Sequence, residues 1–185
     1  MNDTNTKITP SIRWDTGTAY DLFTSLYVIH HPDDFGLRST WAAGVRSRFP
    51  SQDRDIMEDI IEVIGIPLLW LYELPSPKDA FTALYKLKTM DPDTCLVKLA
   101  CWETCDSTYV SIIKKVSDTG TWTKDEFNQA LAYLKTKEKK PVQGKKLERM
   151  LNTFSKAREY GAKIPTIFQT YYNVFYQEEE ARIRS

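Results

Sequence analysis

The apolar residues of this 185-residue chain recur at spacings of three and four, in short blocks that proline and glycine cut apart. That spacing is the turn of an α-helix, and each block lays one apolar stripe along it. Ala19, Leu22, Phe23, Leu26, Tyr27 and His30 form the first face, and Pro32 stops it. Asp15 or Thr16 stands where a side-chain cap is expected. Ser39 to Phe49 reads as a second helix, burying Trp41, Ala42, Val45 and Phe49. Ser51 caps a third, with Ile56, Met57, Ile60, Ile61 and Ile64 on its face. After the Gly65-Ile66-Pro67 break, Leu68-Leu69-Trp70-Leu71-Tyr72 is apolar all round and is expected in the central core.

The second half follows the same grammar. Ser76-Pro77-Lys78-Asp79 reads as a helix start with a Ser cap and Pro at the first helical position, ahead of Ala80, Phe81, Leu84 and Leu87. Asp91-Pro92 opens a helix expected to run to about Cys105. Tyr109, Ile112, Ile113 and Val116 mark the next, ended by Gly120. Thr123-Lys124-Asp125-Glu126 is a capping box before Phe127, Ala130, Leu131 and Leu134. A basic connector, Lys135 to Lys146, leads to a helix with Leu147, Met150, Leu151 and Phe154, expected to stop at Gly161. The last helix carries Ile164, Ile167, Phe168, Tyr171, Tyr172 and Phe175.

The fold implied is all-α: an irregular bundle of about eight or nine helices. Pro10 to Trp14 is the single candidate for a short strand, because Ile12 and Trp14 alternate with Ser11 and Arg13. Residues 1–9 read as a flexible arm and residues 10–185 as one helical domain, long enough for one sizeable core. The last residues, Ala181 to Ser185, carry no stop signal, so the natural polypeptide is expected to continue.

Lys and Arg number 25 and Asp and Glu 25, so no bulk charge draws the chain to nucleic acid or to an anionic membrane. The longest apolar run, Ile60 to Leu74, is interrupted by Glu62, Gly65, Pro67 and Glu73, which rules out a spanning helix there. Met1 to Thr9 lacks the apolar centre of a signal peptide. Cys95, Cys101 and Cys105 are odd in number and fit reduced thiols in a cytoplasmic protein.

Candidate chemistry is sparse. His30 and His31 are adjacent, so on a helix they diverge by about 100° and serve one metal ion poorly. No Ser/His/Asp or Cys/His arrangement supports a nucleophile. Cys101 and Cys105 share a helix face if the helix is continuous and are the weak candidates for a soft metal; the alternative is a pair of small buried hydrophobes. Glu178-Glu179-Glu180 reads as a solvated helix surface, and Lys135, Lys137, Lys139, Lys140, Lys145, Lys146 and Arg149 as a solvated basic strip. Trp14, Asp15, Tyr20, His30, Trp41, Arg46 and Arg48 are the binding or network candidates. Two readings stand for them. Arg38, Arg46 and Arg48 pair with Asp15, Asp21, Asp33 and Asp34 in a structural network, or the arginines, Trp14, Tyr20 and Trp41 line an anion pocket. The Tyr- and Phe-rich last helix also leaves aromatic surface for a partner.

The stretch Trp14-Asp15-Thr16-Gly17-Thr18-Ala19-Tyr20-Asp21-Leu22-Phe23, His30-His31-Pro32, Phe35-Gly36-Leu37-Arg38 and Trp41-Ala42-Ala43-Gly44-Val45-Arg46-Ser47-Arg48 resembles the N-terminal region of certain bacterial regulators. These belong to the arsenical-resistance-repressor-like (ArsR) superfamily, in which a helical region precedes a C-terminal winged helix-turn-helix. No winged helix is visible in this chain. The resemblance implies a non-enzymatic, cofactor-free regulatory region serving effector sensing or dimerisation. It implies a homodimer, a small-molecule effector, no membrane, and DNA contact only through a domain outside the chain. A stand-alone small-molecule or anion binder is the alternative, and a thiol-based metal sensor a third reading.

Overall fold

The computed structural model describes residues 14–101, 107–137 and 143–184. Among them helix is the only regular structure, and the all-α expectation holds. Ten helices are counted there, nine of seven residues or more, when the last run is taken as one. The flexible-arm expectation, Cys105 and most of the strand candidate fall outside the described residues.

Helices α1 (Thr18–His30), α2 (Ser39–Arg46), α3 (Ser51–Ile64) and α4 (Leu68–Tyr72) make the first half. A 3-10 turn, Pro32–Phe35, joins α1 to α2. Then come α5 (Ala80–Thr89), α6 (Pro92–Ala100), α7 (Ser107–Thr119), α8 (Lys124–Lys137) and α9 (Gly144–Ser155). The chain finishes in α10 (Ala157–Tyr171), a π turn (Tyr172–Tyr176) and α11 (Gln177–Arg184), which run on without a break.

Helix α10 is the axis. It packs most extensively on α6, and also on α3, α5 and α9. Helix α1 lies against α2, α3 and α5. Helices α7, α8 and α9 pack on one another and join the rest through α9 on α3 and α7 on α6. One cluster of buried side chains runs through all of these, including Phe23, Leu26, Ile60, Ile61, Leu96, Ile113, Leu151, Ile164 and Phe168. Burying each of these side chains contributes roughly 1.5–3 kcal/mol. Phe23 meets Trp70 and Phe168 edge to face, at 5.6 and 5.5 Å between ring centres, which fixes α1 on α10.

Several local expectations are corrected. Gly161 does not stop a helix; it lies within α10, where a Cβ would stand 2.0 Å from the Pro92 carbonyl oxygen. The break falls instead at Lys156, between α9 and α10. Ser76 does not cap α5: Ser76-Pro77 is a cis peptide, Lys78 takes a left-handed φ of 53°, and Asp79 accepts the Thr82 amide at 2.8 Å. Helix α6 ends at Ala100 rather than near Cys105, with Cys101 already extended. Only Leu71 of α4 is fully buried, while Leu68, Leu69 and Tyr72 are exposed, so that helix is not central core. Trp41 on α2 is 44% exposed. Helix α1 begins after Gly17 with no side-chain cap, and α3 after Pro50 with none.

The capping box before α8 is as expected. The Thr123 amide donates to Glu126 Oε2 at 2.7 Å, and the Glu126 amide donates to Thr123 Oγ1 at 3.3 Å. Lys115 adds an ion pair to Glu126 at 2.7 Å, which with the cap holds that carboxyl below the usual range.

Candidate functional site

The π turn creates the most distinctive feature of the structure. In an α-helix, residues five apart diverge by about 140°. In a π turn the i to i+5 bonding brings them back onto one side. Tyr171 and Tyr176 both point inward as a result, stacked at 6.4 Å and fully buried. Phe175 is thereby turned toward the gap between α1 and α2, where it meets Trp41 at 6.2 Å.

That gap is a cleft of about 420 Å³. Asp21, Thr24, Ser25 and Val28 of α1 form one wall, Trp41 of α2 another, and Phe175, Tyr176, Glu179 and Ile183 the third. Most of its hydroxyls are already committed. Tyr176 donates to the Thr18 carbonyl at 2.8 Å, Tyr171 donates to Ser25 Oγ at 2.8 Å, and Ser25 donates to the Leu22 carbonyl at 2.9 Å. Beside the cleft, Glu180 is buried and not solvated as expected: it accepts from Thr18 Oγ1 and, at 2.8 Å, from the Tyr172 hydroxyl. Glu179 pairs with Arg182 at 2.7 Å, and Glu178 is exposed.

The residues singled out in the sequence are distributed over three places. Asp15 and Tyr20 form one cluster with Lys78: the Tyr20 hydroxyl donates to Asp15 Oδ2 at 2.6 Å, and Lys78 Nζ donates to the same carboxylate and to the Tyr72 carbonyl. Lys78 and Tyr20 keep the Asp15 carboxyl below its ordinary range, and burial with Asp15 pushes the Tyr20 phenol up. Gly17 lies over this turn, where a Cβ would stand 2.2 Å from the Lys78 carbonyl oxygen. Trp14, next to it in sequence, is 93% exposed.

His30 and Arg46 make the second place. Arg46 donates to the Ile29 carbonyl at 2.5 Å. Both ring nitrogens of His30 are buried without a hydrogen-bond partner, and burial first, then the neighbouring Arg46 and His31, holds its pKa down at about 4. Arg48 reaches the Val174 carbonyl at 3.3 Å, at the third place, where Trp41 lines the cleft. The arginine–aspartate network is absent among the described residues; Arg46 and Arg48 satisfy backbone carbonyls instead. Trp14, Tyr20, Arg46 and Arg48 do not line the cleft that Trp41 lines.

Of the thiols proposed as metal ligands, Cys101 lies just past the end of α6 and Cys105 falls outside the described residues. Cys95 is buried in α6, and its pKa is pushed up to about 12 by that burial. Cys101 caps α6 at its C-terminal end. No group of three or more His, Cys, Asp or Glu side chains placed to hold a metal ion occurs among the described residues. The basic strip is partly neutralised: Lys146 pairs with Glu62 at 2.7 Å, and Arg149 with Asp59 at 2.7 Å and Glu58 at 3.0 Å. Among the described residues no helix is long and apolar enough to cross a membrane.

Sequence reasoning missed Asp21, Phe175, Glu179 and Ile183 as cleft residues. Their signal was present: Phe175, Glu179 and Ile183 stand four apart, and Asp21, Thr24 or Ser25, and Val28 make a second, more polar stripe on α1. Comparison with family models, with curated proteins and with solved structures finds no match for this chain.

Proposed function

We propose that this chain is the regulatory helical region of an ArsR-like transcriptional regulator: non-enzymatic, without DNA binding of its own, sensing a small molecule in the cleft beside the π turn. One observation carries the reading. An occupant of this cleft touches α1 and α2 on one side and the final helical run on the other. Binding energy gained there therefore acts on the position of α11 relative to the body of the protein. The stretch that resembles the regulator family, Trp14 to Arg48, supplies the α1 and α2 walls. A volume of about 420 Å³ lies within the usual span of small-molecule clefts.

The test is thermal unfolding of the protein against a panel of small aromatic cations, neutral compounds and anions. Phe175→Ala is the cleft variant, and Lys124→Ala, an exposed residue of α8, is the control. The reading expects a stabilising class that acts on wild type and Lys124→Ala and loses its effect on Phe175→Ala. A panel without effect, or an effect that survives Phe175→Ala, overturns it. Sequence-specific retardation of DNA by this chain alone overturns the DNA-free part.

Self-association is the second part of the proposal, and a separate observation favours it. Phe81 and Tyr85 stack at 6.5 Å on α5 while 73% and 62% exposed, and Leu68, Leu69 and Tyr72 are exposed on α4. Exposed large apolar side chains such as the stacked pair on α5 favour a protein contact. Sedimentation of wild type against Phe81→Glu/Tyr85→Glu checks it. A dimer that the double variant dissociates supports the contact, and a wild-type monomer at high micromolar concentration removes it.

A further inference from the structure

We infer that the cleft at the π turn takes an uncharged hydrophobic molecule whose only polar group is a hydroxyl or an amide. This names the ligand class and rests on the effector reading of the cleft given above.

The walls are apolar on three sides. Val28 of α1, Trp41 of α2, and Phe175 and Ile183 of the final helical run all line the cleft. Trp41 is 44% and Ile183 54% exposed, so the fold itself leaves much of their apolar surface uncovered. An occupant that takes this surface out of water gains free energy in proportion to the area covered. Tyr176 is fully buried behind this layer, and its hydroxyl is committed to the Thr18 carbonyl.

The charges of the lining favour neither sign of ligand. They are two carboxylates, Asp21 and Glu179, and no Lys, Arg or His is among the lining residues. Glu179 is paired with Arg182 at 2.7 Å and is cancelled there. Asp21 is exposed and keeps its water. An anion would meet Asp21 with no cation facing it. A cation would gain an ion pair with an exposed carboxylate, which contributes little, and would give up hydration against Val28, Phe175 and Ile183. An uncharged body meets neither cost. Ser25 and Tyr176 have given their hydroxyl hydrogens to backbone carbonyls. Asp21 and Thr24, one turn apart on α1 and both exposed, are left to receive a single O–H or N–H at the solvent edge of the ligand.

The other clefts define no ligand class as well. Lys86, Lys98, Glu73 and Asp91 put both signs of charge around one, and the Asp59–Arg149 ion pair fills part of another.

The experiment compares phenylethanol, phenylethylammonium and phenylacetate, which share a ring and differ in charge. Binding is read from the broadening of each probe's own proton NMR signals by the full chain, for wild type, Asp21→Asn, Trp41→Ser and Ile183→Asp. All three substituted residues are exposed, and a thermal melt of each variant checks its fold. The alcohol is expected to bind about tenfold more tightly than either charged probe. Trp41→Ser and Ile183→Asp are expected to weaken it by about fivefold or more, and Asp21→Asn to change it by less than about threefold. An ammonium or carboxylate probe that binds as tightly as the alcohol overturns the uncharged class while leaving the effector cleft in place. No binding of any probe, or binding indifferent to both Trp41→Ser and Ile183→Asp, overturns both.

Discussion

Gly161 and Pro92 meet where α10 crosses α6: a Cβ on Gly161 would stand 2.0 Å from the Pro92 carbonyl oxygen and 2.9 Å from its carbonyl carbon. The contact is backbone on backbone, so no flexible side chain can move aside. Helix propensity alone favours Ala over Gly by about 1 kcal/mol. Here overpacking costs typically 1–3 kcal/mol or more, roughly, and outweighs it. Gly161→Ala is therefore expected to destabilise by about 2 kcal/mol or more. Gly44 of α2 is the opposite case: it is exposed, and a Cβ there meets nothing within 4 Å. Gly44→Ala is expected to stabilise by up to about 1 kcal/mol. Urea denaturation of the two variants checks the sign of each.

The start of α5 offers a second discrimination. Asp79 Oδ1 accepts the Thr82 amide at 2.8 Å, whereas Ser76 is exposed, three residues earlier, on the far side of the Lys78 turn. Asp79→Ala is expected to cost about 1 kcal/mol of stability and Ser76→Ala a few tenths or less, roughly. Equal costs in denaturant melts would place the cap at Ser76 instead.

These two sites also show what could be read from the chain. The helices themselves were legible, because a face such as Ile56, Met57, Ile60, Ile61 and Ile64 buries as its spacing says. The Thr123–Glu126 box was legible because both partners lie within one turn. Gly161 was misread because a helix-ending glycine and a glycine at a helix crossing look alike until the crossing partner, Pro92, is known. Glu180 was misread for the same kind of reason: its partner Thr18 lies 162 residues away. The π turn leaves no periodic mark, since one added residue in the register looks like an ordinary aromatic-rich helix. Charge suggested aspartate partners for the arginines, but Arg46 donates to the Ile29 carbonyl in the last turn of α1 and Arg48 to the Val174 carbonyl in the π turn.

His30 sets an acid limit on stability. Its pKa in the folded protein is about 4, below the ordinary 6.5, so between those values the unfolded chain binds a proton that the folded one refuses. Stability therefore falls as pH drops through that window and levels off near pH 4. From pH 7.5 to pH 5 the loss is about 2 kcal/mol. The carboxylates Asp15, Glu126 and Glu159, whose pKa values are lowered, lose their contributions only as pH falls below the ordinary carboxylate range. His30→Leu removes the titrating ring and is expected to flatten the profile between pH 7.5 and 5, measured by urea midpoints at each pH. An unchanged slope in that variant would assign the acid sensitivity elsewhere.

Glu180 ties the final helix to the first. It accepts from Thr18 Oγ1 at the start of α1 and from the Tyr172 hydroxyl within the π turn, while Thr18 Oγ1 in turn accepts the Ala80 amide at 3.1 Å. Truncation removes a charged acceptor from two half-buried hydroxyls. Hydrogen bonds to a charged partner are worth about 1.5–3 kcal/mol, so Glu180→Ala is expected to destabilise by about 3 kcal/mol. Glu180→Gln keeps the volume and one acceptor, and its loss is expected near about 1 kcal/mol. The two variants also separate global stability from the hold on the last helix. Hydrogen exchange of residues 177–184 is expected to speed up in Glu180→Ala more than that of α3, because the carboxylate makes one of the bonds that join the final helical run to α1. Equal acceleration in both helices would mean that Glu180 supports the core as a whole and leaves α11 no freer to follow an occupant of the cleft.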